Sequence, residues 1–236
     1  NSVIVPTYKE CNNLKPLTER LFNSLQKYNL DKSTELIIVD DNSNDGSKEL
    51  IDQLSKYYNV KILVRTKERG LSSAVLHGFS NANASEVLIC MDADLQHPPE
   101  KVVELIKSLK ENEFVIGTRY AGGNSIDKDW PVHRRVISSG ARLLVVPLKP
   151  MKKQISGFFG IQKKILQKTG IKKINPIGFK ICLEVYVKCN IKKHAEVPIV
   201  FGVRTEGESK LSSKVIVNYL KHLFELYTYQ MPLALV

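Results

Sequence analysis

Residues 88–100 read LICMDADLQHPPE, and the fold turns on where the apolar run in this stretch stops. Val87 to Met91 is short, continuous and bounded by polar residues, the pattern of a buried strand. Oxygen-bearing side chains follow at once, at Asp92, Asp94 and Gln96. In extended chain, side chains two apart share a face, so these three are expected to converge at the strand's carboxyl end. Pro98, Pro99 and Glu100 then suit a helix start, because proline fits the first turn and acids favour the helix's positive end. The same residues would also make a plain acidic turn capping the next helix, since Asp often marks turns. Position separates the two readings. In open α/β sheets, ligands bind beyond the carboxyl ends of strands, where carboxylate and amide oxygens suit Mg²⁺ or Mn²⁺. So few protein oxygens do not complete an octahedron, so water and a ligand's phosphates are expected to supply the rest.

Working outward, the first half of the chain alternates regularly. The patterns predict strands at 2–6, 35–41, 60–65, 86–92 and 114–120, with helices near 12–28, 47–57, 72–81 and 100–110. A βαβαβαβαβ order argues for an α/β fold with a mostly parallel sheet flanked by helices. DDNSNDGS (40–47) closes the second strand with a turn and a helix N-terminus. No G-x-G-x-x-G follows the first strand, and no G-x-x-x-x-G-K-[ST] occurs anywhere, which argues against a dinucleotide cofactor or a P-loop. A nucleotide would be held differently.

The second half is less regular. After Pro131 a helix-like stretch puts Arg134, Ser138 and Arg142 on one face at four-residue spacing. ISGFFGIQKKIL (155–166) begins a fresh apolar segment after a lysine-rich loop, 195–204 reads as a late strand, and 205–214 as a flexible loop. From 211 to 229, Val215, Tyr219, His222, Leu223 and Leu226 form one stripe, with Lys214, Lys221 and Glu225 off it. That is an amphipathic helix. The expected division is a catalytic unit at 1–210 and an amphipathic, membrane-interface helix at 211–236.

Bulk composition narrows the class. With 236 residues, 43% hydrophobic and 25% charged, the chain can bury a core and is not disordered. No uncharged run reaches the ~20 residues needed to cross a bilayer, and no apolar signal region opens the sequence. Cys11, Cys90, Cys182 and Cys189 are too scattered for a disulfide framework or zinc site, and fit burial as small hydrophobes in a reducing, cytosolic setting. The net charge of +11 is concentrated: residues 130–195 hold twelve Lys and three Arg against one acid, Glu184. That segment alone carries +14, leaving about −3 elsewhere, and it implies an anionic partner, although a lysine-rich solvated face accounts equally for most of the lysines and less well for the arginines. A nucleic-acid binder would interleave aromatics with the basic residues for stacking. Between 149 and 193 only Phe158, Phe159, Phe179 and Tyr186 occur, mostly in apolar contexts. Phosphate or a membrane surface is the expected partner instead.

Eight stretches then appear in order: SVIVPTYKECNNL (2–14), ELIIVDDNSNDGS (35–47), RGLSSAVLHGF (69–79), CMDADLQHPPE (90–100), GTRY (117–120), DKDWPVHRRVISSGAR (127–142), SGFFGIQKK (156–164) and FGVRTEGESKLSSK (201–214). Together they resemble the dolichol-phosphate mannose synthases, inverting family 2 glycosyltransferases with the GT-A, Rossmann-like nucleotide-sugar fold. They look closest to the fungal type. The resemblance implies transfer of mannose from GDP-mannose to dolichyl phosphate at the cytosolic face of the endoplasmic reticulum membrane, feeding glycosylation and GPI-anchor pathways. It places Pro6, Tyr8 and Glu10 at a guanosine pocket, with Ile38 and Asp40 at the end of the second strand. Asp92, Ala93, Asp94 and Gln96 would surround the sugar diphosphate and a Mg²⁺ or Mn²⁺ ion, with Asp92, Asp94 and Gln96 as the metal ligands. Arg119, Arg204 and Lys210 would meet phosphates. Arg134 and Ser138 would meet the acceptor phosphate, although Arg135 and Ser139 fit the spacing equally. Asp94, Arg119, Arg134 and Ser138 are thus the expected catalytic set.

The competing readings are a place in the first helix turn for Glu10 and a salt-bridged strand end for Arg119; without the resemblance, Lys210 reads as a solvated loop lysine. His97 and His133 read as structural, because a phosphate monoester, with its second pKa near ~6, needs no base to become a nucleophile. A rival enzyme reading transfers glucose from UDP-glucose to the same lipid. Two departures from the family pattern stand out. Lys153-Gln154 occupies the place of an Asp-Pro pair shortly before SGFF, and no transmembrane anchor of the fungal type appears up to Val236. A removed anchor and accessory protein subunits both remain open.

Overall fold

Alternation of period two sorts the strand residues onto two faces, and each face receives its own layer of helices. The computed structural model describes residues 1–83, 86–119, 156–176, 181–200 and 213–230, excluding the side chains of Arg119, 213–220 and Gln230. The described elements are β1 (Ser2–Thr7), α1 (Cys11–Gln26), β2 (Glu35–Asp40), α2 (Ser47–Leu54), β3 (Val60–Val64), α3 (Leu71–Ser80) and β4 (Val87–Cys90). A 3₁₀ turn (Pro99–Lys101) then leads to α4 (Val102–Ser108) and β5 (Phe114–Arg119). After residue 155 come β6 (Phe159–Gln162), α5 (Lys163–Thr169), a 3₁₀ turn (Ile171–Lys173), α6 (Ile181–Lys188), β7 (His194–Ile199) and α7 (Ser213–Gln230).

The seven strands form one sheet in the order β3-β2-β1-β4-β6-β5-β7. Every neighbouring pair is parallel except those made by β6. Val3, Val5, Leu36, Ile38 and Ile89 face α1, α2 and α4, whereas Ile4, Ile37, Val39, Leu88 and Phe159 face α3, α5 and α6. The expected α/β architecture, a mostly parallel sheet with helices on both sides, is therefore the observed one.

The boundaries shift for local reasons. β4 ends at Cys90, not at Asp92. Met91 still donates its N–H to the Ile4 carbonyl (3.0 Å), but the Asp92 N–H turns to the His97 ring (3.1 Å), which ends the ladder. The helix expected at 100–110 is a 3₁₀ turn followed by α4, and the one at 47–57 stops at Leu54. The apolar segment after residue 155 is an antiparallel strand followed by a helix. β6 fits between β4 and β5 only because Gly160 has no side chain: a Cβ there would lie 2.8 Å from Leu109 Cδ1 and 3.2 Å from both Ile89 and Val115.

Helix α7 packs on α6. Leu223 and Leu226 are buried, and His222 Nε2 lies 2.7 Å from Glu184 Oε2, both side chains 1% exposed. Asn175 Nδ2 donates to Glu225 (2.8 Å), and Lys188 lies over the Tyr229 ring at 4.1 Å. The described part of the predicted apolar stripe is thus covered by protein, and Phe224, 70% exposed, points elsewhere. Among the described residues no helix is long and apolar enough to cross a membrane.

Candidate active site

The strand registers bring the carboxyl ends of β1, β2, β4 and β5, together with the start of β6, to one edge of the sheet. The segments after β1, β2, β3 and β4 meet there with residues 156–158, which precede β6. The first follows β1. Lys9 holds a left-handed backbone conformation (φ 61°) and donates its N–H to Ser43 Oγ at 2.8 Å. Ser43 in turn donates its N–H to Asp40 Oδ2 (2.8 Å) and its hydroxyl to Asp40 Oδ1. Asp45 accepts from the Cys11 N–H (3.2 Å) and from the N–H and hydroxyl of Ser47 (3.1 and 2.6 Å). Short polar side chains that bond nearby backbone are the ordinary means of ordering such turns. Between the two ordered turns lies an open cleft lined by Lys9, Glu10, Cys11, Asn12, Ser43, Asn44 and Asp45.

A buried ion pair ties the segment after β3 to β2. Arg65 directs Nε to Asp41 Oδ1 at 2.7 Å, with a second nitrogen on the same oxygen. Its remaining donors reach Ser73 Oγ (2.9 Å), Glu68 (3.1 Å) and the Gly70 carbonyl (3.0 Å), while the Gly70 N–H returns to Asp41 Oδ2 (2.8 Å). Buried charge is tolerated when paired and fully bonded in this way. The clamp brings Arg69 over Tyr8: the guanidinium sits 4.9 Å from the ring centre and Nη1 donates to the phenol oxygen at 3.2 Å. An aromatic face backed by Arg is a platform for a planar base or a phosphate.

The residues after β4 do not continue as extended chain. Leu95 adopts φ 61°, so simple alternation does not set the directions of Asp92, Asp94 and Gln96; a turn does. Asp94, 7% exposed, accepts the Gln96 N–H at 3.1 Å. The Asp92 carboxylate, 36% exposed, lies against Gly157, where a Cβ would meet its oxygens at 3.0 and 3.1 Å. The neighbouring Cys90 thiol is pushed well above its ordinary pKa, first by burial and next by the Asp92 charge. His97 is buried, stacked on Phe158 with ring centres 5.3 Å apart. Among the described residues no group of three or more His, Cys, Asp or Glu could by itself hold a metal. Two carboxylates and the Gln96 carbonyl are hard oxygen donors that fit a Mg²⁺- or Mn²⁺-type ion completing its shell from a ligand.

The predicted residues distribute unevenly. Tyr8, Glu10, Asp92, Asp94 and Gln96 lie at this edge. Glu10 accepts from Asn13 Nδ2 at 2.7 Å, at the start of α1. Pro6 pairs in register with Val39 inside the sheet. Ile38 and Ala93 are in the core under α1 and α2 or α4. Asp40 is buried with both oxygens on Ser43, so it shapes the loop from behind. Arg119 ends β5 at the same edge, its side chain outside the described atoms, and Arg134, Ser138, Arg204 and Lys210 lie outside the described residues. Sequence reasoning did not single out Ser43, Asp45, Arg65 or Arg69. DDNSNDGS signalled the first two as turn formers, but the Arg65–Asp41 and Arg69–Tyr8 pairs exist only through the fold.

The sequence and the fold both have counterparts among known proteins. Residues 2–170 match the glycosyl transferase family 2 profile. The chain is 56% identical to a dolichol-phosphate mannosyltransferase of Saccharomyces cerevisiae over 235 residues, 97% of this chain and 87% of that protein. A mannosyltransferase from Pyrobaculum calidifontis, solved with GDP-Man and Mn²⁺, superposes with a TM-score of 0.63 at 15% identity, covering 98% of this chain and 64% of that one. Glucosyl-3-phosphoglycerate synthase from Mycobacterium tuberculosis, solved with Mn²⁺, uridine-diphosphate-glucose and phosphoglyceric acid, gives 0.63 at 17% identity, covering 94% and 79%.

Proposed function

The chain belongs to glycosyl transferase family 2, among its dolichol-phosphate mannosyltransferases, and from that premise we propose that it transfers mannose from GDP-mannose to dolichyl phosphate with inversion. The observation that carries this reading is 56% identity to a dolichol-phosphate mannosyltransferase along 97% of the chain. The site supports the same chemistry. A phosphate oxygen of the lipid forms a bond to C1 of mannose as the bond from C1 to the diphosphate breaks, and GDP leaves with the electron pair. The nucleophile is largely dianionic at neutral pH, its second pKa lying near ~6, so no side chain has to remove a proton from it.

The protein's task is therefore placement and charge. Tyr8, backed by Arg69, offers a wall for the nucleoside beside the Lys9–Asp45 cleft. Asp92, Asp94 and Gln96 would hold a divalent ion of the Mg²⁺ or Mn²⁺ type. When bound, that ion neutralises charge on the departing diphosphate. Arg119, Arg204 and Lys210 are assigned to the donor phosphates, and Arg134 and Ser138 to the acceptor phosphate, on the strength of the sequence resemblance. Arg suits these contacts because its planar fork matches phosphate oxygens. The acceptor's polyprenyl tail stays in a bilayer, so the enzyme is assigned to a membrane surface, the cytosolic face of the endoplasmic reticulum.

Ligand competition tests the donor assignment. Bound GDP-mannose should be displaced by GDP and left in place by equal UDP. Displacement by UDP with GDP inert would replace mannose transfer by the UDP-glucose reading.

A further inference from the structure

His97 bridges two segments that are far apart in sequence, and its bonds dictate the state of its ring. The Asp92 backbone N–H, 3.1 Å from His97 Nδ1, can only donate, so Nδ1 is an acceptor and the ring proton sits on Nε2. Nε2 faces Ser156 Oγ at 3.4 Å, and that hydroxyl oxygen also accepts the Phe158 N–H at 3.1 Å. The Asp92 carboxylate lies 3.5 Å from Nδ1, farther than the backbone N–H, which takes the better bond. The ring is 2% exposed and stacks on Phe158 at 18°. Gly157, between Ser156 and Phe158, leaves room for the Asp92 oxygens, which a Cβ there would crowd at 3.0 and 3.1 Å.

We infer that His97 is a positioning residue for the metal seat: its neutral, Nε2-protonated ring pins the Asp92 backbone to Ser156 and thereby holds the Asp92 carboxylate against Gly157. The inference rests on reading Asp92 and Asp94 as metal ligands. Its chemical logic is that of groups behind a metal's ligands, whose loss commonly weakens metal binding about 10- to 100-fold. Backbone strain at Leu95 (φ 61°) gives the pin a task, since a turn held in a left-handed conformation persists only when its surroundings over-determine it.

The test measures Mn²⁺ affinity by electron paramagnetic resonance in the presence of GDP, with metal-free GDP affinity measured beside it. His97→Phe keeps the stack on Phe158 and loses the hydrogen bonds to the Asp92 N–H and Ser156; it should weaken Mn²⁺ binding at least tenfold and leave metal-free GDP affinity unchanged. His97→Asn restores an acceptor for the Asp92 N–H and should recover part of the loss. Ser156→Ala, which disturbs packing least, should weaken Mn²⁺ binding severalfold and decides the matter if the Phe variant does not fold. Nitrogen-15 imidazole shifts of the wild type should show the neutral Nε2–H tautomer. If Asp94→Ala loses Mn²⁺ while the His97 and Ser156 variants bind it like wild type, the metal reading stands and the assignment of His97 is wrong. If Asp94→Ala binds Mn²⁺ like wild type, the metal reading fails and the inference falls with it.

Discussion

Lys9 and Leu95 both hold left-handed backbone at the candidate site (φ 61° each), a conformation costing on the order of 1–3 kcal/mol for residues other than glycine. Both are fastened by neighbours: Lys9 by Ser43, and Leu95 by packing its side chain on the core. Single side chains at this edge are assigned either to ligands or to holding the loops, and substitution should separate the two groups. Asp94→Ala removes a hard oxygen donor and no core packing, so transfer should fall to background while thermal unfolding stays within a few degrees of wild type. Excess chelator should have the same effect on the unmodified enzyme, and full turnover in chelator would contradict the assignment. Arg65→Ala acts on the fold. It leaves the Asp41 carboxylate buried without its cation, a change that typically costs about 3–5 kcal/mol, and denaturant unfolding should report a loss of that order. A loss below about 1 kcal/mol would mean that Asp41 regains solvent once Arg65 is gone.

Elements were legible wherever one period dominated. The short apolar runs at 3–5 and 36–39 read as strands, and the helical pattern near 12–28 as α1, whose buried face is Leu14, Leu17, Leu21 and Leu25. β6 was not legible as a strand. FGIQ is four residues long, and its antiparallel place between β4 and β5 is set by distant partners and by the space that Gly160 leaves. The turn after β4 was half legible: the oxygen donors were visible, but the left-handed Leu95 and the grip of His97 on Asp92 depend on the folded loop. The start of β2 carries a pH-sensitive clasp that sequence could not reveal. Burial would raise the Glu35 carboxyl, but bonds from Ser2, Lys61 (3.1 Å) and the Asn83 N–H (2.6 Å) outweigh it and hold its pKa below the ordinary value. A depressed carboxyl stabilises the fold above its unfolded pKa, and that stabilisation is lost as pH falls through the folded one. Acidification through and below the ordinary glutamate range should therefore lower the unfolding free energy of wild type more steeply than that of Glu35→Gln. Parallel slopes would show that the clasp contributes nothing.

At the scale of the molecule, the sheet gathers the candidate site at the carboxyl ends of its strands, whereas Lys163, Lys192 and Lys193 of the basic segment lie at the amino ends of β4 and β5, bonded to the Ala82 carbonyl and to Glu113. Helix α7 buries His222, Leu223 and Leu226 against the domain, so a contact with a membrane would fall to the side chains that stay outward. Phe224, 70% exposed, and Tyr229, 37% exposed, are the large hydrophobic side chains left outward on it among the described residues, and Phe224 is suited to shallow insertion beside attraction of Lys and Arg to anionic headgroups. Liposomes containing anionic lipid should float the wild type, and Phe224→Asp and higher salt should each reduce the floated fraction. Flotation unchanged by both would remove the helix from the interface. The central claim, mannose transfer to a polyprenyl phosphate, is tested most directly by incubating the protein and Mg²⁺ or Mn²⁺ with dolichyl phosphate and either labelled GDP-mannose or labelled UDP-glucose. Label should pass into the lipid fraction from GDP-mannose alone, in the β configuration at C1. Label entering from UDP-glucose instead, or a retained α configuration, would contradict it.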